Sequence, residues 1–271
     1  MSKPTALHRE LEVACGLARE AGQRILRHRG GPIDVLRKEH DEVVTAADRE
    51  ADHVISSGLR EAFPQDAIYS EESPDSWRRL AHWRVWIVDP LDGTSDFIAG
   101  GDEFSVSIGL AVGGEAVLGA VYNPVREELF AGAAGLGVQR NGVDARPSDV
   151  EQVNEARISV SRKERAQLAL LAPGLALTPI TSMSYKLARV AAGIDDAALS
   201  RKRRKEWGSC AGVALVLAAG GRATLLDGST IRFNRAENRQ PLGMVAAGAR
   251  LHASLVGSIR NLTDPNPGDL S

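Results

Sequence analysis

The chain has 271 residues, of which 43% are hydrophobic and 25% are charged, and its formal net charge is −2 at pH 7. These values are typical of a soluble globular protein with one large or two modest domains. The small negative charge gives no general attraction to nucleic acid or to an anionic membrane. Aromatic residues make up only 4% of the chain, so we do not expect a surface that stacks the bases of a nucleic-acid strand.

The termini and the cysteines indicate an intracellular protein. Residues 1–10 are polar and charged, so no signal peptide is expected, and the most apolar run, residues 213–219, is too short to span a bilayer. Cys15 and Cys210 are far apart in sequence, which does not suggest a disulfide framework. We therefore expect a cytoplasmic protein without membrane or nucleic-acid partners, and either a monomer or a homodimer.

Two amphipathic helices are predicted at the start of the chain. Apolar residues recur at helical spacing between Thr5 and Arg29, and Gly30 and Gly31 follow. A short strand is predicted over residues 33–37. A second helix is expected to run to about Phe63, and Thr45 with Asp48 has the spacing of a capping box. Capping alone would explain Asp48 in purely structural terms.

Two adjacent glutamates, Glu71 and Glu72, follow a short apolar segment, and such pairs usually mark a solvated turn. Residues 84–88 then read Arg-Val-Trp-Ile-Val, which predicts a buried strand. Asp89 and Pro90 are expected to end that strand, because proline donates no N–H to a sheet.

The segment after this strand contains two closely spaced carboxylates, Asp89 and Asp92, and then the small turn of residues 93–95. Acidic side chains at a strand end suit a hard cation such as magnesium. The free N–H groups of a turn that opens a helix suit a phosphate oxyanion. The segment therefore predicts a metal-assisted phosphoryl site, although an Asp-rich turn formed for local reasons is the structural alternative.

The rest of the chain divides into two patterns. Residues 103–112 alternate as a strand, and further strands at 116–122, 129–131 and 138 predict an antiparallel meander. The polar segment 144–155 suggests a boundary between domains 1–150 and 151–271. Beyond it, strands and helices alternate, which predicts an α/β domain. The predicted strands are 158–160, 178–182, 197–199, 223–226 and 244–247, and the predicted helices 163–170, 184–192, 210–219 and 249–259, before a frayed tail over 261–271.

Three motifs resemble the inositol monophosphatase-like family of magnesium-dependent, lithium-sensitive phosphatases. They are D-P-L-D-G-T at residues 89–94, V-T-x-A-D at residues 44–48, and E-E-S at residues 71–73, where the family has glycine before the glutamates and this chain has Ser70. The resemblance implies a layered α-β-α-β-α sandwich of the sugar-phosphatase type. In that α/β fold the N-terminal half is α+β and the C-terminal half is α/β.

Two segments of the second half are similar to the bacterial 3'(2'),5'-bisphosphate nucleotidase branch of the family. They are Ser161-Arg162 and the run from Ser182 to Lys186. Glu206 and Trp207, with Ala211-Gly212, match the family motif E-W-D-x-x-A-G except at one position, where Gly208 replaces an aspartate. In the family that aspartate binds a second metal and contacts the substrate.

The resemblance also implies the roles of individual residues. Magnesium would be held by Glu71, Asp89, Asp92 and the carbonyl of Leu91, and Glu71 also belongs to the catalytic set. Asp48 and Thr94 would orient and deprotonate the attacking water. The substrate would be bound by the N–H groups of Gly93, Thr94 and Ser95 and by the side chains of Ser184 and Lys186.

The implied activity is hydrolysis of a small phosphate monoester. The preferred substrate is adenosine 3',5'-bisphosphate, cleaved at its 3'-phosphate, which implies a place in sulfur assimilation. Two alternatives stay open: an inositol or other sugar monophosphatase, and a phosphometabolite-binding protein whose catalysis is weakened by Gly208. The basic run 201–205 is either a solvated face or a contact for a second phosphate of the substrate.

Overall fold

The computed structural model of the chain describes residues 7–30, 35–37, 43–171 and 174–260, so the start of the first predicted helix and the predicted tail lie outside the described residues. The helices are α1 (His8–Arg27), α2 (Ala46–Ala62), α3 (Thr94–Ile98), α4 (Arg162–Leu171), α5 (Met183–Ala191), α6 (Cys210–Ala218) and α7 (Ala249–Arg260). The strands of the first half are β1 (Val35–Arg37), β2 (Val43–Thr45), β3 (Ala67–Ser70), β4 (Arg84–Asp92), β5 (Ser105–Val112), β6 (Glu115–Asn123), β7 (Glu128–Ala133), β8 (Gly137–Arg140) and β9 (Val143–Ala145). The strands of the second half are β10 (Arg157–Val160), β11 (Ala176–Pro179), β12 (Ala197–Ser200), β13 (Arg222–Leu225) and β14 (Met244–Ala247).

The strands form two large sheets and one small hairpin. The first sheet has the order β3-β4-β5-β6-β7-β8-β9, and all its neighbours are antiparallel except β3 and β4. The predicted meander is therefore confirmed. The second sheet has the order β11-β10-β12-β14-β13, with parallel pairing on one side of β12 and antiparallel pairing on the other. Strands β1 and β2 pair separately.

The sheets and helices stack in five layers. Helices α1 and α2 cover one face of the seven-stranded sheet, and α5 and α6 cover its other face. The second sheet packs on the far side of α5 and α6, and α4 and α7 close the stack. The α-β-α-β-α sandwich and the α/β class expected from the sequence are confirmed. The division into domains at residue 150 stays a prediction.

The central strand β4 is buried on both faces. Trp86 and Val88 pack against α1 and α2, whereas Val85 and Ile87 pack on the side of α5 and α6. A strand covered on both faces needs apolar side chains at successive positions rather than alternation. This explains why residues 85–88 form a continuous apolar run.

Helix α6 lies against the seven-stranded sheet with almost no space between their backbones. A Cβ atom on Gly119 would be 2.2 Å from the carbonyl oxygen of Ala211, and a Cβ atom on Gly109 would be 2.7 Å from the backbone nitrogen of Ala211. Both distances are below any real contact, so only glycine allows this approach. The approach places the first residue of α6, Cys210, and the segment before it against β5 and β6.

Two expectations about the strands were wrong, and one strand was missed. Pro90 does not end β4, which continues to Asp92 through an irregular step in its pairing with β5. The strand predicted over 178–182 ends at Pro179, and Ser182 caps α5 instead. Strand β9 was not predicted, because its three residues are too few to show a period.

Among the described helices, none combines the length and apolarity needed to cross a bilayer.

Substitution of Gly119 by alanine should destabilise the protein by about 3 kcal/mol, because the new methyl group would push α6 away from the sheet. Urea unfolding measures the change. Gly16→Ala is the matched control, since Gly16 lies in α1 and a Cβ there would meet no atom within 4 Å. That substitution should stabilise the protein by about 1 kcal/mol through helix propensity. Equal effects of the two substitutions would contradict the close packing of α6.

Candidate active site

The two aspartates after the central strand lie on a bulge of β4. Asp89 pairs with Ser107 and Asp92 with Ser105, so three steps along β4 face two steps along β5. Such a bulge tolerates proline, because Pro90 has no N–H to leave unpaired. It also brings Asp89 and Asp92 close together, whereas a regular strand would place residues three apart on opposite faces.

Asp89 carries the strongest electrostatic constraint of the site. Its side chain is buried, and burial raises the pKa of its carboxyl well above the usual range, with further contributions from the negative charges of Glu71, Asp92 and Asp48. Within the described residues, its Oδ1 atom has no hydrogen-bond partner. A buried carboxylate that has one oxygen without a partner and is surrounded by other acids is the environment that a cation stabilises.

Asp92 faces the start of α5. Its Oδ2 atom accepts hydrogen bonds from Ser182 Oγ and from the backbone N–H of Ser184, both at 2.7 Å. The Ser184 hydroxyl donates to the carbonyl of Gly208 at 3.2 Å. Ser184 therefore lies in the predicted site, with its N–H and hydroxyl both bonded within the protein. Ser182 was missed as a site residue, and only its place in the motif at 182–186 could have indicated it.

The turn after Asp92 requires glycine. Gly93 has φ 103°, and a Cβ there would lie 2.9 Å from the carbonyl oxygen of Glu103. The Gly93 carbonyl accepts the N–H groups of Asp96 at 2.8 Å and Phe97 at 3.1 Å, which begins the five-residue helix α3. The N–H groups of Thr94 and Ser95 come before the first donor of that helix, the N–H of Asp96, so no helical carbonyl accepts them.

Asp48 and Thr94 come together from different elements. Asp48 Oδ2 accepts the backbone N–H and the hydroxyl of Thr45, at 2.8 and 2.6 Å, which confirms the predicted capping box. Its other oxygen, Oδ1, lies 3.3 Å from the Thr94 hydroxyl, which is also 3.0 Å from the Leu91 carbonyl. Burial raises the pKa of Asp48. Asp48 thus caps α2 and also reaches the turn at Thr94.

Glu71 is held beside Asp89 by the backbone. Its N–H donates to the carbonyl of Val88 at 3.1 Å, and its Oε1 atom lies 3.9 Å from Lys205 Nζ. The hydroxyls of Ser70 and Ser73, on either side of the glutamate pair, donate to Asp52 at 2.5 and 3.1 Å. Asp52 was missed, because it stands in no motif that resembles the family, and Lys205 was considered only as part of the basic run 201–205 and not as a partner of Glu71.

Lys186 lies behind this site and is fully buried. Burial and the positive charge of Arg204 lower the pKa of its amine to about 7, while Glu164 and Asp92 raise it. In the part of the chain that the structure describes, Nζ has no hydrogen-bond partner. An anion that reached this amine would supply the missing partner.

The basic run 201–205 is not a uniform solvated face. Arg204 is bonded to Glu164 Oε2 at 3.0 Å and to Ser200 Oγ at 2.6 Å, while Arg203 is bonded to Glu237 and to the Gln240 carbonyl. Glu164 and Ser200 are buried. Both guanidinium groups are therefore already bonded within the protein rather than directed at a second phosphate.

Gly208 lies at the edge of the carboxylates. A Cβ atom there would be 3.5 Å from Asp89 Oδ2 and 4.0 Å from Asp92 Oδ1, which are ordinary contacts. Glu206 does not replace the missing carboxylate, because its two oxygens accept the backbone N–H groups of Asn234 and Arg235 at 2.7 and 3.0 Å. Position 208 therefore has room for an acidic side chain that this chain lacks.

The carboxylates have the chemistry that a divalent cation needs, although they are not already arranged as a complete set of metal ligands. Among the described residues, no three His, Cys, Asp or Glu side chains already form a metal-binding group. However, Asp89 Oδ1 is buried without a partner, and Glu71 and Asp92 are close enough to raise its pKa. A hard dication prefers such oxygen ligands and would neutralise their repulsion.

Comparison with known proteins places these features in a family. The model of the inositol monophosphatase family matches residues 6–264. The 3'(2'),5'-bisphosphate nucleotidase CysQ of Salmonella typhimurium is 34% identical over 234 residues, covering 84% of this chain and 95% of that protein. The inositol-1-monophosphatase of Bacillus subtilis is 30% identical over 232 residues, covering 82% of this chain and 87% of that protein.

The fold is similar to that of a solved relative. The Thermotoga maritima IMPase superposes with a TM-score of 0.83 at 26% identity, and the match covers 94% of this chain and 98% of that one.

Glu206 should make stability depend on pH. Burial raises the pKa of this carboxyl from 4.5 to about 7, so the folded protein binds its proton more tightly than the unfolded chain does. The free energy of unfolding should therefore fall by roughly 3 kcal/mol as the pH rises from about 4.5 to about 7. In Glu206→Gln this part of the pH dependence should be absent, as measured by urea unfolding at several pH values. The control is Glu12→Gln, which changes an exposed side chain of α1, and an unchanged pH profile in Glu206→Gln would contradict the assignment.

Proposed function

The chain belongs to the inositol monophosphatase family and is a phosphatase of that type, and we propose that it hydrolyses the 3'-phosphate of adenosine 3',5'-bisphosphate with magnesium. The observation that carries this proposal is the bulge of β4. It sets the buried Asp89 beside Asp92 and leads directly into the turn at Thr94, next to Asp48. Acids, hydroxyl and free N–H groups thus lie within one short segment.

Glu71, Asp89, Asp92 and the Leu91 carbonyl would hold the metal. When bound, magnesium would lower the pKa of a ligated water and neutralise the charge of the phosphate. One oxygen of Asp92 already accepts hydrogen bonds from the start of α5. The carboxylate therefore does not rotate freely, and its other oxygen keeps a fixed direction. Fixed ligands of this kind need little reorganisation during the reaction.

Asp48 and Thr94 would prepare the attacking water. If the Thr94 hydroxyl donates to Asp48 Oδ1, its lone pairs can accept a hydrogen bond from the water, which orients the nucleophile. The buried Asp48 has a raised pKa, which makes it a stronger base than an exposed carboxylate. The proton would pass through the Thr94 hydroxyl to Asp48, and no covalent bond to the protein is needed.

The phosphate would lie against the N–H groups of Gly93, Thr94 and Ser95, which suit a developing oxyanion. Ser184 and Lys186 would act toward the rest of the substrate. For Lys186 this requires a negative group to approach its buried amine, which would then become charged. The similarity to the bisphosphate nucleotidase CysQ supports the nucleotide substrate. Sulfur assimilation as the setting, a cytoplasmic location and sensitivity to lithium belong to the same proposal.

An activity assay tests the proposal. Phosphate release from adenosine 3',5'-bisphosphate should depend on magnesium, should exceed release from inositol 1-phosphate, and should fall in lithium. Asp92→Asn should lower the rate at least 100-fold and weaken magnesium binding measured by calorimetry. The runner-up, an inositol or sugar monophosphatase, would instead show the opposite substrate preference. Normal activity of Asp92→Asn at low magnesium would contradict the metal site.

One observation favours a second candidate, a phosphometabolite-binding protein with weakened catalysis. Gly208 leaves no carboxylate at a position whose Cβ would face Asp89 and Asp92. Fewer charged ligands mean weaker binding of a hard cation. On this basis we expect one well-held metal and a second that binds weakly without substrate.

The Gly208→Asp substitution tests the role of this position. The added carboxylate should lower the melting temperature in EDTA, since it brings another negative charge to Asp89, and magnesium should restore it. The magnesium concentration required for half-maximal activity should fall about tenfold. Gly208→Asn is the matched control, because it adds similar volume without charge. Identical magnesium dependence of the two variants would mean that position 208 does not reach the metal.

A further inference from the structure

A cleft of about 580 Å³ opens beside the candidate metal ligand Glu71. One side is formed by residues 69–77, and the other by Trp207 and residues 236–238. Tyr69 and Trp207 are buried and meet edge to face, with ring centroids 5.2 Å apart. The indole of Trp77, in contrast, is 59% exposed. The cleft thus has an aromatic floor, an exposed aromatic ring at its edge, and a volume that suits a small organic ligand.

We propose that this cleft binds the nucleobase of the substrate, a planar uncharged ring that stacks on Trp77. The inference rests on the proposed phosphatase function, because it assumes that a phosphate lies at the site of Asp89 and Asp92. Glu71 belongs to both places, so a ligand with its phosphate at the metal site would direct its base into the cleft, while Ser184 and Lys186 would meet other parts of the molecule.

The charged groups at the cleft wall are paired with one another rather than arranged to bind a second phosphate. No lysine or arginine is among the described residues that line the cleft, whereas Glu71, Asp75 and Glu237 are acidic. From outside the cleft, Arg79 pairs with Asp75, Arg203 pairs with Glu237, and Lys205 Nζ lies 3.9 Å from Glu71 Oε1. The wall is therefore close to neutral but offers carboxylate oxygens, which repel an anion and accept hydrogen bonds.

The hydroxyls of the cleft are directed away from it. Ser70 and Ser73, which both line the cleft, donate their hydroxyl hydrogens to Asp52. Acceptors therefore prevail among the polar groups that a ligand meets. A base with an exocyclic amino group, such as adenine, supplies the N–H donors that match them. A sugar ring or inositol has no π system and can offer only C–H groups to an indole, so it lacks the ring-on-ring stacking of a base.

The wall that carries Trp77 is rigid. Arg79 is 2% exposed, forms a bidentate pair with Asp75, and its guanidinium lies 3.8 Å from the centroid of the Tyr69 ring. Asp75 in turn accepts a hydrogen bond from the backbone N–H of Trp77 at 3.0 Å. Arg79 also donates to Asn234 at 2.9 Å, next to the segment that forms the opposite side. A ligand that enters such a preformed cleft loses little free energy to ordering the protein.

Trp77 has φ 59°, a conformation that a bulky residue adopts at a cost. The strain makes Trp77→Gly a favourable test, because glycine accepts this backbone and the substitution removes only the indole. Trp77→Phe keeps a stacking ring. Trp83→Ala is the control, since Trp83 is 73% exposed and does not line the cleft.

Two measurements decide the proposal. The first is the ratio of kcat/KM for adenosine 3',5'-bisphosphate to that for inositol 1-phosphate. It should fall about tenfold in Trp77→Gly, by the loss of one base–aromatic stack, and less than about threefold in Trp77→Phe. Trp83→Ala should leave the ratio unchanged. An unchanged ratio in Trp77→Gly, or an equal fall in Trp83→Ala, would overturn the proposal.

The second measurement is the binding of adenosine 5'-monophosphate with magnesium, by calorimetry, which needs no turnover. Trp77→Gly should weaken this binding about tenfold relative to the natural protein. If the natural protein does not bind the nucleotide, or if the variant binds it equally well, the cleft is not a base site. If the protein hydrolyses neither ester but Trp77→Gly still weakens binding, the proposed activity fails while the base site stands.

Discussion

The structure depends on the close contact between helix α6 and the seven-stranded sheet. Gly109 and Gly119 have no side chains to hold Ala211 away, so the start of α6 lies on the backbone of β5 and β6. The segment before the helix, from Glu206 to Gly208, is therefore delivered to Asp89 and Asp92. On the other side of the helix, Gly212 lets α6 approach α5, where a Cβ would be 2.5 Å from Leu187 Cβ. Close packing thus brings the two halves of the chain to one site.

The same packing concentrates negative charge. Asp89 is buried next to Glu71, Asp92 and Asp48, although carboxylates placed together repel each other and prefer water. The protein compensates for part of this cost with specific bonds: Asp92 is held by α5, and Asp48 by its own helix cap. Asp89 Oδ1 remains without a partner among the described residues. Such a local conflict with stability is typical of a functional site, because the bound metal or substrate resolves it.

Gly208 and the cleft beside Glu71 give this member of the family its own character. The family motif has an aspartate at position 208, whereas this chain has glycine there. Glu206 does not substitute for that aspartate, because it is already bonded to the backbone of Asn234 and Arg235. Those bonds also hold the segment that forms one side of the cleft. Glu206 therefore links the cleft beside Glu71 to the stability of the fold, and its role is that of a structural support.

The sequence by itself determined the helices and the central motif, because these depend on local patterns, and the resemblance of its motifs to the family implied the layered fold. Apolar periodicity in α1 and α2, the capping box of Thr45 and Asp48, and the hexapeptide at residues 89–94 are all visible without a structure. From the sequence alone, β4 was wrongly predicted to end at Pro90. The bulge that carries the strand on to Asp92 depends on pairing with β5 and not on the residues of β4 itself.

The tertiary structure alone decided how distant residues meet. The bonds from Ser182 to Asp92 and from Ser70 to Asp52, the Lys205–Glu71 pair, and the cleft between Trp77 and Trp207 each join residues 18 to 134 positions apart. No spacing rule relates such residues, because their contact depends on how whole layers pack. The burial of Lys186, and the bonds of Arg204 to the buried Glu164 and Ser200 that changed the interpretation of the basic run, arise from the same packing of layers.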